Sequence, residues 1–151
     1  MQPGKLRFDI LEEMANVTRK TRTLFDARVR EKGLTLARAR TLLRVHDSET
    51  TNQRELADEL EIESATLVRL IDGLEMQGLI ERREVEGDRR AKHVVLTAEG
   101  IELAGIVERM AKQVAVDVLA GIPQQELERA LTVSRRMAAN LDATGSALSG
   151  R

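Results

Sequence analysis

The chain has no cysteine. Disulfides, thiolate metal sites, cysteine nucleophiles and thiol-based redox sensing are therefore excluded. Aromatic residues are almost as scarce: Phe8 and Phe25 stand alone, with no Tyr and no Trp. Proteins that bind single strands or RNA stack bases on aromatic faces, and this chain has almost none to offer. No apolar run approaches the length of a membrane span, and the N-terminal stretch is not an apolar signal segment. The expected location is cytoplasmic, with no membrane partner. His46 and His93 are the only histidines and lie far apart in sequence, so no metal-ligand spacing arises and no cofactor is expected. An excess of charge is missing too: 24 basic and 25 acidic residues leave a net charge of −1. Any nucleic-acid surface must then be a local cluster rather than a basic domain.

What is present suffices for a core. Of 151 residues, 42% are hydrophobic and 32% charged, which suits one folded domain with an appended element. From Leu6 the apolar positions Leu6, Ile10, Met14, Val17, Thr21 and Leu24 recur at helical spacing, after a loose end at residues 1–4. Gly33 suits the end of that helix, and Thr35 an N-cap for a second one carrying Leu36, Ala39, Leu42, Leu43 and Val45. Asp47 to Thr51 reads as a loop. Asn52 with Glu55 three residues on resembles a capping box for a short helix through Leu56 and Leu60. After a break at Glu61-Ile62-Glu63, Leu67, Leu70, Ile71 and Leu74 restore the helical period, and Gly78 is placed to end it.

The period then changes. Leu79–Val85 and Lys92–Leu96 read as strands around Glu86-Gly87-Asp88-Arg89-Arg90, a hairpin with a charged tip. Thr97 can cap a further helix with Leu103, Val107, Met110, Val114 and Val118 on one stripe. Pro123 opens a last helix through Leu127, Leu131, Ala138 and Leu141. Residues 142–151 are small and polar and are expected to form a flexible tail. The fold class expected is mainly α (α+β), a winged helix-turn-helix at 35–97. Helices at 5–33 and 98–141 flank it and form a dimerisation region. Their stripes need cover, either from a second copy of the chain or by folding back on the middle domain.

The helix–break–helix at Gln53–Gln77 has the dimensions of a helix-turn-helix, and the basic hairpin follows at once. In such an arrangement the second helix enters the major groove and the hairpin tip reaches an adjacent minor groove. Ser64, Ala65 and Thr66 at the start of that second helix are small and polar enough to approach a base edge or phosphate, or else to cap the helix. Arg69, a turn further on, can bond guanine bidentately or remain a solvated arginine. Arg89 and Arg90 sit at the hairpin tip, where a guanidinium suits a narrow minor groove.

The stretch Leu56–Arg82, ending in Gln77-Gly78-Leu79-Ile80, followed by Asp88-Arg89-Arg90 and then Leu96-Thr97, resembles the MarR family of bacterial winged-helix regulators, and within it the SlyA-like branch. Glu63 departs from the pattern, since many relatives have a short capping residue there. The resemblance implies a homodimer, a double-stranded pseudo-palindromic DNA operator, and a repressor's role. It gives Arg90 the minor-groove contact and Asp88 the part of holding it. It also implies a small aromatic carboxylate or phenol as effector, with Arg19, Arg22 and Arg40 as its candidate partners; salt bridges of these arginines to Asp26 or Glu13 are the alternative. No phosphate loop and no Ser/His/Asp set can be assembled, so an enzyme is not expected. The competing function is a winged-helix protein-interaction module without DNA binding, which the near-neutral charge favours and the basic tip opposes.

Overall fold

The computed structural model describes residues 3–48 and 51–149, with the side chains of residues 3, 51, 89–91 and 146–149 outside that description. The element order is α1 (Pro3–Arg30), α2 (Leu36–Asp47), β1 (Thr51–Asn52), α3 (Gln53–Leu60), α4 (Ser64–Met76), β2 (Ile80–Val85), β3 (Asp88–Leu96), α5 (Ala98–Val118) and α6 (Gln124–Ser149). This is the mainly helical winged fold read from the sequence.

Local chemistry sets most boundaries. After α1 the chain turns through Gly33 at φ 72°, with the Leu34 N–H donating to the Val29 carbonyl at 3.1 Å. Thr35 caps α2, accepting from the Arg38 N–H, and Asn52 caps α3, accepting from the Glu55 N–H at 2.8 Å. Between α3 and α4 the turn is made by Glu61 in the left-handed region, φ 56° and ψ 43°. A residue with a Cβ is disfavoured there by about 1–2 kcal/mol. The Ile62 N–H to Ala57 carbonyl bond, 3.1 Å, closes that turn.

The core gathers Val29 from α1, Ala39, Leu42 and Val45 from α2, Leu56 and Leu60 from α3, and Leu67, Ile71 and Leu74 from α4. Ile80, Val94, Ala104 and Val107 complete it from the strands and α5. The sheet order is β1-β3-β2, all antiparallel. Thr51, expected at the end of a loop, instead joins Asn52 in the two-residue strand β1, because the two pair with Val94 and His93 before Asn52 turns to cap α3 as expected.

The hairpin is tied to the helix that follows it. Thr97 donates its hydroxyl to the Gly78 carbonyl at 2.6 Å and accepts from the Gly100 N–H at 3.1 Å. Its own N–H reaches the Leu79 carbonyl at 3.1 Å. Gly100 makes this approach possible, since a Cβ there would lie 1.8 Å from the Leu79 carbonyl oxygen.

Three boundaries differ from the sequence reading. α1 begins at Pro3, inside the expected loose end, and proline at a first helical position costs nothing because its N–H would be unsatisfied anyway. α6 continues through Ser149, so the stretch 142–149 is helix rather than a flexible tail; Gly150 and Arg151 lie outside the described residues. Polarity signals exposure, not loss of helix: the segment has no proline, and each further residue adds a bond to a helix already nucleated.

The third difference concerns the domains. The compact units divide after Ala115, so α1 and most of α5 belong with the winged domain, and residues 116–151 form the second unit. The reason is that Val107 and Val114 of the α5 stripe, with Ala104, are buried. That part of the expected dimerisation stripe is already covered by the chain itself.

Candidate nucleic-acid interface

α4 presents its inner face, Leu67, Ile71 and Leu74, to the core. Helical geometry then puts Ala65, Arg69 and Met76 on the opposite face, and all three are exposed. Ser64 and Thr66 are exposed as well. The cap position of α4 is Glu63, whose side chain makes no capping bond. Neither hydroxyl, of Ser64 or Thr66, bonds to a described residue, so the first-turn N–H groups and both hydroxyls remain open to a ligand. Arg69 forms no ion pair with a described residue. The structure thus brings Ser64, Ala65, Thr66 and Arg69 together on one solvent-facing turn and a half, as the sequence predicted.

The wing stands beside one edge of this helix. Arg82 on β2 reaches across to α4: its guanidinium pairs with Asp72 at 2.5 Å and with Glu75, and its backbone N–H donates to Glu75 at 3.2 Å. The arginine side chain is only 16% exposed. Two carboxylates on α4 are thereby neutralised, and the strand is fastened to the helix. Nothing in the sequence marks Arg82 for this role, because Asp72 and Glu75 lie ten and seven positions away. Arg83 pairs with Glu81 at 2.6 Å.

At the wing tip Gly87 adopts φ 86°, which closes the turn at no Cβ cost. The register shifts between the pairs Glu84↔Lys92 and Val85↔Asp88, and Arg89 and Arg90 lie on β3 between them. Irregularities of this kind re-aim side chains at functional rims. The Arg89 and Arg90 side chains lie outside the described residues, while Asp88 is exposed and engaged in an interaction of its own.

The other edge of α4 is different. Gly73 lies four residues after Arg69, hence on the same side of the helix. A Cβ on Gly73 would meet the Arg38 guanidinium at 3.2 Å. So a half-buried arginine from α2 lies against α4 on the side opposite the Arg82 clasp. Sequence reading passed over Arg38; its signal was a glycine in the middle of a leucine-rich helix, which implies close packing by something else.

Arg22 and Arg40 come together with Thr21, Phe25, Leu36, Ala111 and Val114 around a cavity of about 230 Å³. Arg19 is separate: it lines a wider cleft of about 590 Å³ with Arg22, Met14 and Asp26, and donates to Asn16 at 2.9 Å. Asp26 pairs with Arg30 at 2.8 Å, and among the described residues no ion pair joins it to Arg22. Among the described residues no group of three His, Asp or Glu could hold a metal ion, and no helix is long and apolar enough to cross a membrane.

A paired helix whose second member is open to solvent, followed by the β2–β3 hairpin that β1 extends to three strands, defines a winged helix-turn-helix protein. The family model for MarR matches residues 34–92. Among solved structures, the transcriptional regulator PA3341 is 40% identical over 89% of this chain and 98% of its own, with a TM-score of 0.81. The transcriptional regulator SlyA is 26% identical over 88% and 94%, with a TM-score of 0.77. A MarR-family regulator from Listeria monocytogenes, solved in complex with 26mer DNA, shares the fold at 21% identity, with a TM-score of 0.77 and coverage of 87% of each chain. The chain belongs to the MarR family of transcriptional regulators.

Proposed function

We propose that this regulator is a homodimeric repressor that reads a pseudo-palindromic double-stranded operator. The observation that carries the reading is the uncapped, solvent-open first turn of α4, where Ser64, Ala65 and Thr66 are exposed, with Arg69, which has no ion pair to a described residue, a turn further on. Two such helices related by a twofold axis contact half-sites about 10 bp apart. The exposed apolar residues Leu6, Phe8, Ile10, Leu11, Met14 and Val17 of α1 support self-association, as do Leu131, Val133 and Leu141 of α6. Arg90, held by Asp88, contacts the minor groove from the wing.

A small aromatic carboxylate or phenol is the effector in this reading. The cavity at Arg22 and Arg40 supports it: apolar walls from Phe25, Leu36 and Val114 suit a ring, and the two arginines, with no ion pair to a described residue, suit its anion. Arg19 lies next door in the wider cleft and serves as an entry contact.

The test is binding to the promoter DNA of the protein's own gene across a salt series, with footprinting and a salicylate titration. A protected dyad, a steep fall of affinity with salt and weakening by salicylate are expected. Salt-insensitive or absent binding would instead favour a protein-interaction module. Arg69→Ala costs about 1–3 kcal/mol of operator affinity and relaxes preference at one position per half-site. Arg90→Ala weakens all sequences alike and flattens the slope of log K against log salt by about 1.8, since each dimer carries two wings.

A further inference from the structure

Arg38 is a cation in an unfavourable place. It lies in the first turn of α2, where its N–H is held by the Thr35 hydroxyl at 3.3 Å. The positive end of the helix dipole repels a cation there, and that turn contains no acidic residue to compensate. No ion pair links Arg38 to any described residue. Its half-buried guanidinium is nevertheless held in place: Ala39, Leu42 and Val45 of the same helix are buried in the core, and the bare Cα of Gly73 leaves the space that the guanidinium fills.

That space borders the DNA-facing side of α4. Thr66, Arg69 and Gly73 follow one another at spacings of three and four, so they form one row along the helix. The row adjoins the outward face that carries Ala65 and Arg69. The opposite edge carries Asp72 and Glu75, whose charge is already met by Arg82. A duplex received on the outward face has a sugar–phosphate wall along each edge of the helix, and the Gly73 edge offers a guanidinium that has no ion pair to a described residue.

We propose that Arg38 is a DNA-backbone contact: it supplies a phosphate clamp from α2 at the Gly73 edge of the recognition helix, setting the depth and register at which α4 sits in the groove. Arg40, two residues on, points to the other side of α2 and lines the Arg22 cavity. The two arginines therefore divide between duplex and effector. The inference rests on the DNA-binding reading above.

The experiment compares wild type, Arg38→Gln and Arg38→Lys on the footprinted operator and on a scrambled duplex, from 50 to 200 mM salt, with melting temperature as a check on folding. With two copies per operator, Arg38→Gln flattens the log K against log salt slope by about 1.8 on both duplexes. At 0.1 M salt it lowers affinity on the order of tenfold or more, with an unchanged melting temperature. Arg38→Lys keeps the slope, because the charge remains. A wild-type slope and affinity for Arg38→Gln overturns the proposal while leaving the regulator reading intact. So does a loss confined to the operator, which would make Arg38 a base reader. Failure of the wild type itself to bind either duplex defeats the DNA-binding reading, and this inference with it.

Discussion

The winged region and the outer helices treat apolar surface in opposite ways. Between Leu34 and Val94 the inward-facing aliphatic side chains are closed off: Leu42, Leu56, Leu67, Ile71 and Leu74 are all 0–1% exposed, and only Val68 and Met76 among the described large aliphatics there stand out in solvent. In the first half of α1, by contrast, Phe8 is 63% exposed and Leu11 59%, and on α6 Leu141 is 73% exposed. Both kinds of region share helical period and apolar content. What separates them is the number of other elements packed around each helix. α2, α3 and β2 pack around α4, whereas Leu131, Val133 and Leu141 of α6 stay exposed in their own unit. Apolar periodicity thus announces that a face needs covering and is silent on what covers it.

Leu67→Ala against Leu11→Ala tests that contrast most strongly. The first opens a cavity in a closed core and costs about 2–5 kcal/mol of unfolding free energy in urea. The second leaves the stability of the single chain almost unchanged and weakens self-association, read by sedimentation equilibrium. Equal stability losses, with no change in association, would erase the difference between the regions.

Gly100→Ala comes next. It forces a methyl into the Leu79 carbonyl, where the hairpin is tied to α5, and overpacking of this kind costs about 1–3 kcal/mol or more. The same change at Gly4, which has nothing within 4 Å, should move the denaturation midpoint negligibly. The smallest effect sharpens the picture within the winged region. Glu61→Gly relieves the left-handed turn between α3 and α4 and loses some chain entropy, so thermal unfolding should show a gain below about 1 kcal/mol. A loss there would mean that the Glu61 side chain supports the turn in a way its backbone angles do not reveal.

Much of this molecule was legible in its residues. Thr35, Asn52 and Thr97 act as the caps they resemble, and Gly33, Gly78 and Gly87 take the positive φ that their positions demanded. These are local decisions, made by groups within a few residues of each other, and a sequence states them directly. That Ser64, Ala65, Thr66 and Arg69 lie within the first two turns of one helix was legible for the same reason, since they are close neighbours along the chain.

Tertiary structure decided the rest. β1 exists because β3 lies alongside it. Arg82 became a clasp between wing and helix because residues ten positions apart meet across a turn. Arg22 and Arg40 share a cavity while Arg19 lies outside it, and Arg38 reaches Gly73 from another helix altogether. Such pairings depend on how helices cross. Crossing is settled by the summed packing of many side chains, with no single short-range signal to reveal it. The sequence by itself determined the elements, most of their ends and the side chains at the start of α4; only the packed chain determined which charges are matched within it, as Arg82 is by Asp72 and Glu75.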